Sequence, residues 1–299
     1  MRIASLTTCV FGISMAASGT VRAQGDRAAG GEAMAMSGSA DVRSYASNSL
    51  VLPEGGFQLG GELTFLTSTE RASGEDLRFT DVVLVRPRAR YSFGGIETFA
   101  GVDVLAKQPS TNDDAVFLGG HLGGRLAVGK THAMWLRASG GPLRAELGAW
   151  ASADAGAEWR KFIARYAAFQ LAAGATANRL FVDEGEESMF AEVAVSGQTV
   201  FMVPTGEAGA WVGTEFYFPI AERGPFAPHT RVNVRLGVVL SAIESWDLYA
   251  EIVAIDRGDV EDPATMLPIL DGGFDQTQLV MGIIRRFRMP ESSRVQMAY

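Results

Sequence analysis

The sequence has 299 residues, of which 47% are hydrophobic and 20% are charged, and its formal net charge is −8 at pH 7. This acidic balance argues against nucleic acid as a partner. Beyond residue 23 no stretch contains about 18 or more uninterrupted apolar residues, so the sequence does not predict membrane-spanning helices. The hydrophobic residues are instead spread over many short segments.

The amino terminus has the pattern of a secretory signal. Arg2 supplies a positive start, residues 3–17 are mostly apolar, and Val-Arg-Ala at 21–23 places small residues at the −3 and −1 positions of a cleavage site. We therefore predict a cleaved signal peptide over residues 1–23. Cys9 is the only cysteine, so the mature chain is predicted to have no disulfide and no cysteine metal site.

Residues 24–52 are rich in Gly, Ala, Ser and Met and show no apolar period. Such a composition cannot bury enough apolar surface to order itself. We predict that this segment is a flexible leader.

From Gly56 onward, hydrophobic and polar residues alternate. In the first segment an apolar face opposes a polar one: Phe57, Leu59, Leu63 and Phe65 against Gln58, Glu62 and Thr64. This period predicts a β-strand with two unlike sides. Twelve such strands are predicted, at about residues 56–67, 78–93, 96–106, 115–128, 132–138, 144–159, 162–175, 189–203, 208–218, 231–243, 246–255 and 274–287. The third fits with either face outward, and the alanine-rich sixth and seventh are also compatible with helix.

The polar connections between these strands alternate in length. The long ones are residues 68–77, 107–114, 176–188, 219–230 and 256–273; the short ones are 94–95, 129–131, 160–161, 204–207 and 244–245; residues 139–143 are intermediate. Short periplasmic turns and longer external loops are typical of outer-membrane barrels, whereas a soluble β-sandwich has no reason to alternate in this way. Most predicted strands are also long enough to cross a membrane at a tilt.

The predicted fold is therefore all-β: a closed antiparallel transmembrane β-barrel of about 12 strands over residues 53–288, with a C-terminal tail over residues 289–299. Closure is required because lipid cannot satisfy the backbone groups of a free sheet edge. An even strand number places both barrel ends on the periplasmic side. Pro87 cannot donate a ladder bond, so we expect a bulge or an irregular register at this point of the second strand.

The segment LVMGIIRRF at 279–287 resembles the terminal strand of Gram-negative outer-membrane β-barrel proteins, which usually ends in an aromatic residue. The resemblance is to the porin-like class as a whole and specifies no family. It implies residence in a bacterial outer membrane, contact with outer-membrane lipid and lipopolysaccharide, and recognition by the barrel-assembly machinery. The sequence departs from the pattern in one respect, because twelve residues follow Phe287.

The polar faces of the strands predict a charged barrel interior. The candidate lumen-lining residues are Arg86, Arg88, Arg90, Glu62, Asp103, Arg125, Glu192, Arg231, Arg235, Glu251 and Arg286, with Arg137, Asp154 and Glu215 as further inward candidates. Such residues either select anionic or zwitterionic solutes or pair across strands and fill a narrow lumen. Both hold if an ion-pair network surrounds a small pore.

Three functions fit this sequence. The first is a narrow porin-like channel or transporter for small solutes, because about 12 strands fall between the filled eight-stranded barrels and the open ones of 16–18 strands. The second is a structural or surface-interaction barrel with a plugged lumen. The third, ranked lower, is an acyl hydrolase or transferase that uses His121, His132 or His229, although no serine lies beside them in a recognisable motif. No phosphate loop, dinucleotide fingerprint or zinc spacing occurs, so no cofactor is predicted.

Overall fold

A computed structural model of the chain describes residues 50–52, 54–72, 75–107, 116–129, 131–142, 148–164, 166–181, 187–203, 208–224, 230–241, 245–257 and 276–287. The predicted signal peptide, residues 24–49 of the predicted leader, His229 and the predicted tail lie outside these ranges. Across the described part of the chain, no helix is long and apolar enough to cross a membrane.

Twelve strands follow one another along the chain: β1 (Phe57–Ala72), β2 (Glu75–Ser92), β3 (Ile96–Lys107), β4 (Val116–Val128), β5 (His132–Pro142), β6 (Ala149–Ala164), β7 (Ala167–Phe181), β8 (Ser188–Met202), β9 (Ala208–Arg223), β10 (Arg231–Leu240), β11 (Trp246–Arg257) and β12 (Gln276–Phe287). Each strand pairs with its neighbours in sequence, and β1 pairs with β12. The sheet is therefore a closed antiparallel barrel, which confirms the predicted fold class and strand number.

The seam that closes the barrel is regular. The register between β1 and β12 runs without interruption from Phe57 opposite Phe287 to Ser68 opposite Gln276. The Phe57 and Phe287 rings lie 5.4 Å apart at the end of the seam. The segment that resembles a terminal strand is thus the strand that closes the barrel.

The outer face of the barrel is apolar. Large hydrophobic side chains are exposed on every described strand, among them Leu63, Leu122, Leu136, Leu236 and Ile283. The residues between them are buried and mostly polar. This alternation matches the two faces predicted from sequence, and an outward apolar band is what contact with lipid requires.

Several stretches expected to be turns or loops are strand: residues 139–142, 176–181 and 219–223 extend β5, β7 and β9, and two further cases follow. Residues 68–72 and 75–77 extend β1 and β2 into a two-stranded ribbon, where a long loop over 68–77 was expected. The predicted turn at residues 160–161 is also wrong, because β6 continues to Ala164. In both cases backbone pairing continues where the side chains become polar, and polarity alone had indicated a connection.

One residue predicted to face outward faces inward. Leu118 was placed on the outer face with Leu122, yet it is 2% exposed, whereas Phe117 is 48% exposed. The register of β4 against β3 shifts at this point, between Asp103 and Val104. A bulge adds one residue to a strand and so reverses the faces beyond it.

Pro87 does not shift the register as expected, although the pairing of β2 with β3 is interrupted at Arg86 and Pro87. The register of β2 against β1 is continuous through Gly61 opposite Pro87. The shift of β2 against β3 lies between Val83 and Leu84 instead. The strand therefore accommodates this proline without a bulge at its own position.

Candidate functional site: the barrel lumen

The described interior of the barrel carries equal numbers of opposite charges. Nine arginines and nine carboxylates are buried there: Arg86, Arg88, Arg90, Arg125, Arg137, Arg160, Arg231, Arg235 and Arg286 with Glu62, Glu97, Asp103, Asp154, Glu158, Glu192, Glu215, Asp247 and Glu251. All eleven candidate lumen-lining residues belong to this set, as do Arg137, Asp154 and Glu215. Their contribution to a solute pathway stays a prediction.

The inward arginines Arg86, Arg88 and Arg90 of β2 are neutralised by acids on both neighbouring strands. Glu62 of β1 lies 2.8 Å from Arg88 and 3.7 Å from Arg86. Asp103 of β3 lies 3.6 Å from Arg86. The Tyr249 hydroxyl donates a further hydrogen bond to Glu62. Acids on β1 and β3 therefore pair with the arginine-rich strand between them, as cross-strand pairing favours.

A second cluster, which we call the Arg235 cluster, comprises Arg235, Glu215, Glu251, Trp211 and Tyr217. The Arg235 guanidinium donates to Glu215 and to Glu251, each at 2.9 Å. The Trp211 indole N–H donates to Glu251 at 2.9 Å, and the Tyr217 hydroxyl donates to Glu215 at 3.0 Å. One guanidinium thus bridges two carboxylates that aromatic donors hold in place.

On the wall formed by β5 and β6, Arg137 forms a tight pair with Asp154. Its Nε and Nη2 atoms donate to Asp154 Oδ2 at 2.8 and 2.6 Å, and the Trp135 indole N–H donates to Oδ1 at 3.2 Å. A cavity of about 30 Å³ lies between Trp135 and Asp154 on this wall and Glu215 and Tyr217 of the Arg235 cluster. That volume holds about two water molecules.

The barrel end that carries the short turns is occupied by the chain itself. Leu50, Val51 and Leu52, at the end of the predicted leader, are buried inside the barrel. The Leu52 N–H donates to Glu97 Oε2 at 2.8 Å, and Arg125 Nη1 donates to the Leu50 carbonyl at 3.0 Å. The amino-terminal approach to β1 therefore passes through the lumen entrance.

Four charged members of the lumen set were missed from sequence: Glu97, Glu158, Arg160 and Asp247. The three acids among them each lie an even number of residues from an acid predicted to face inward: Glu97 from Asp103, Glu158 from Asp154 and Asp247 from Glu251. Side chains at even spacing share a face of a strand. Extending the alternation of each strand to its ends would have found all three.

Inward aromatic rings were also missed, and inward glycines on neighbouring strands accommodate them. A Cβ atom at Gly237 would overlap the Trp211 indole, one at Gly282 would overlap the Tyr249 ring, and one at Gly156 would overlap Trp135. The missing side chain lets each ring lie flat against the wall. The signal in sequence is the pairing of an inward glycine with an inward aromatic residue one strand away.

The histidines do not assemble into a catalytic group among the described residues. His121 is buried on β4, with Ser139 opposite it on β5. Neither the Ser139 hydroxyl nor His121 Nδ1 has a hydrogen-bond partner there. His132 is exposed at the start of β5 and contacts the Thr131 hydroxyl at 3.0 Å. No group of three or more His, Cys, Asp or Glu side chains in these ranges is arranged to hold a metal ion.

Neither a protein-family model nor a curated protein matches this sequence. Solved structures do match its fold. The COG4313 outer membrane channel from Pseudomonas putida F1 aligns with a TM-score of 0.50 at 12% identity, over 79% of this chain and 97% of its own. The NanC porin aligns with a TM-score of 0.49 at 8% identity, over 76% of this chain and 98% of its own. The KdgM porin in complex with disordered oligogalacturonate aligns with a TM-score of 0.47 at 9% identity, over 77% of this chain and 99% of its own. The shared feature is the barrel fold.

Proposed function

We propose that the protein is an outer-membrane channel for small polar solutes, with a narrow, charge-lined lumen. The observation that carries this proposal is the set of nine arginines and nine carboxylates on the inner wall. Filling a lumen does not require charges, since apolar side chains of similar volume are often at least as stable as buried ion pairs. A charged wall inside an apolar exterior instead suits the passage of hydrated solutes.

The apolar outer band and the alternation of short and long connections support an outer-membrane location. Contacts with outer-membrane lipid and lipopolysaccharide, and recognition of the closing strand by the barrel-assembly machinery, are part of the same proposal. Export through a cleaved signal peptide remains a prediction from sequence.

The balance of charge bears on ion selectivity. An arginine ladder alone would favour anions, but here Arg86, Arg88 and Arg90 each have a carboxylate within 4 Å. We therefore expect stepwise openings with weak selectivity when the purified, folded protein is inserted into a planar lipid bilayer under a salt gradient. A well-folded protein without openings, both with and without its amino-terminal segment, would contradict the proposed function.

Removing one carboxylate from the wall should shift the selectivity toward anions. In Glu62→Gln the side-chain volume is kept while the negative charge beside Arg86 and Arg88 is lost. A single wall charge in a hydrated lumen changes the free energy of a passing ion by roughly 0.5–1 kcal/mol. The anion-to-cation permeability ratio should therefore rise about two- to fivefold.

The measurement is the reversal potential in a salt gradient. Glu187→Gln is the matched control, because Glu187 pairs with Arg179 outside the lumen and both side chains are 46% exposed. Equal reversal potentials for Glu62→Gln and the unchanged protein would mean that ions do not pass this wall.

A structural barrel with a plugged lumen is the second candidate. Ion pairs that join neighbouring strands, together with the buried residues Leu50–Leu52, favour it. Absence of conductance in a folded barrel, with the amino-terminal segment both present and deleted, would select this function over the channel.

An acyl hydrolase is a third candidate, carried only by His121 and Ser139 at opposed positions on the inner wall. The comparable solved structures are channels, which supports a function other than catalysis. We expect phospholipid and lipopolysaccharide to stay intact when incubated with the protein, and His121→Ala to behave like the unchanged protein. Release of fatty acid that His121→Ala abolishes would reverse this ranking.

A further inference from the structure

Three apolar residues that precede the first strand are among the most buried of the described chain. Leu50, Val51 and Leu52 are 2%, 5% and 3% exposed. They lie inside the barrel at the end of the short turns, against charged residues of β3 and β4. This apolar segment therefore occupies space in a lumen whose wall is otherwise polar.

The approach to β1 explains how the chain turns into the lumen. Gly55 has φ of +73°, a left-handed conformation that favours glycine. Its N–H donates to the Ser92 carbonyl at 2.9 Å, and the Ser92 N–H donates to the Gly56 carbonyl at 3.0 Å. The chain is therefore fixed to the barrel rim at Gly55 and Gly56, and the segment before them is attached to this anchor.

The contacts that hold the segment can be broken without leaving a charge unpaired. Glu97 accepts from the Leu52 N–H but also pairs with Arg90 at 2.7 Å. Arg125 donates to the Leu50 carbonyl but also pairs with Glu158 at 3.1 Å. After departure of the segment both side chains keep an ionic partner, and water can satisfy the freed backbone groups.

From these contacts we propose that Leu50–Leu52 form a removable plug, which closes the periplasmic entrance of the lumen and opens the channel when it leaves. The occupant is this chain's own segment, held by Glu97 and Arg125 through its backbone. The opening step rests on the proposed channel function, whereas the docking of the plug does not.

Docking is tested by thiol labelling of the full-length mature protein. Cys9, the only cysteine of the sequence, lies in the predicted signal peptide, so the mature protein carries no competing thiol. Val51→Cys places a thiol in the plug, and Glu54→Cys places one on the exposed turn three residues later. With a membrane-impermeant methanethiosulfonate reagent, Val51→Cys should react at least about tenfold more slowly, because a buried thiol reacts only during local opening. Equal rates would overturn the docking.

Closure is tested by conductance in planar bilayers. Deletion of residues 24–52 should raise single-channel conductance or open probability several-fold over the full-length protein, with folding checked by heat-dependent electrophoretic mobility. Leu52→Asp is the alternative if the deletion variant does not fold, because its carboxylate would lie near Glu97 and expel the plug.

The outcomes separate the two proposals. A protected Val51→Cys with higher conductance of the deletion variant supports the plug. Protection with equal conductance of the full-length and deletion proteins overturns closure. Protection with no conductance in either form leaves the segment docked and contradicts the channel function itself.

Discussion

Replacing Arg235 by methionine is expected to destabilise the barrel by about 3–5 kcal/mol, because it leaves two buried carboxylates without their shared cation. Glu215 and Glu251 each lie 2.9 Å from the Arg235 guanidinium and are 4% and 2% exposed. Methionine keeps much of the packing volume, so the loss reports on charge. The measurement is the free energy of unfolding in guanidinium chloride, with the protein in lipid vesicles.

The matched control is Arg179→Met. Arg179 pairs with Glu187 at 2.6 Å, closer than Arg235 to its partners, but both side chains are 46% exposed. Exposed ion pairs contribute little, so we expect a loss of less than about 1 kcal/mol. If both variants lost the same free energy, water would already solvate the carboxylates of the Arg235 cluster.

Gly237→Val is expected to destabilise the barrel by about 2–5 kcal/mol, through overpacking and the loss of a buried hydrogen bond. A Cβ atom at Gly237 would overlap the Trp211 indole. The ring would have to leave the wall, and its N–H would then no longer reach Glu251. The same unfolding measurement applies, and the near-ultraviolet circular dichroism of the tryptophans should change.

Gly61→Val controls for the loss of a glycine from a strand. Gly61 is on the outward apolar face of β1, and a Cβ atom there would meet no other atom within 4 Å. A β-branched side chain at this position gains contact with lipid and favours strand. We expect its stability to be unchanged or slightly higher. Equal destabilisation by both valines would show that backbone effects, and not the Trp211 ring, explain the result.

The barrel was predictable because lipid imposes a strict alternation on each strand. Outward residues such as Leu236 must be apolar over the membrane thickness, so the period of two and the number of strands can be read from sequence. The inward charges followed from the same alternation. Strand ends were less accurate, since beyond the apolar band only backbone pairing continues, and residues 68–77 therefore resembled a loop.

The interior arrangement depended on contacts that a linear pattern does not contain. Arg160 resembled part of a turn because Lys161 follows it, yet its guanidinium donates to Gln170 of β7. The aromatic rings of Trp211 and Tyr249 face inward because glycines of the next strand make space for them. Leu50–Leu52 had no apolar period at all, because a segment of three residues is too short to show one.

The sequence separations of these contacts suggest an order of folding. The seam joins Phe57 to Phe287, near opposite ends of the barrel sequence. The contacts of Leu52 with Glu97 and of Leu50 with Arg125 span only 45 and 75 residues. Shorter loops cost less entropy to close and form earlier. The amino-terminal segment therefore has its partners once β1–β4 have paired, so that the remaining strands wrap around it and threading through a finished ring is unnecessary.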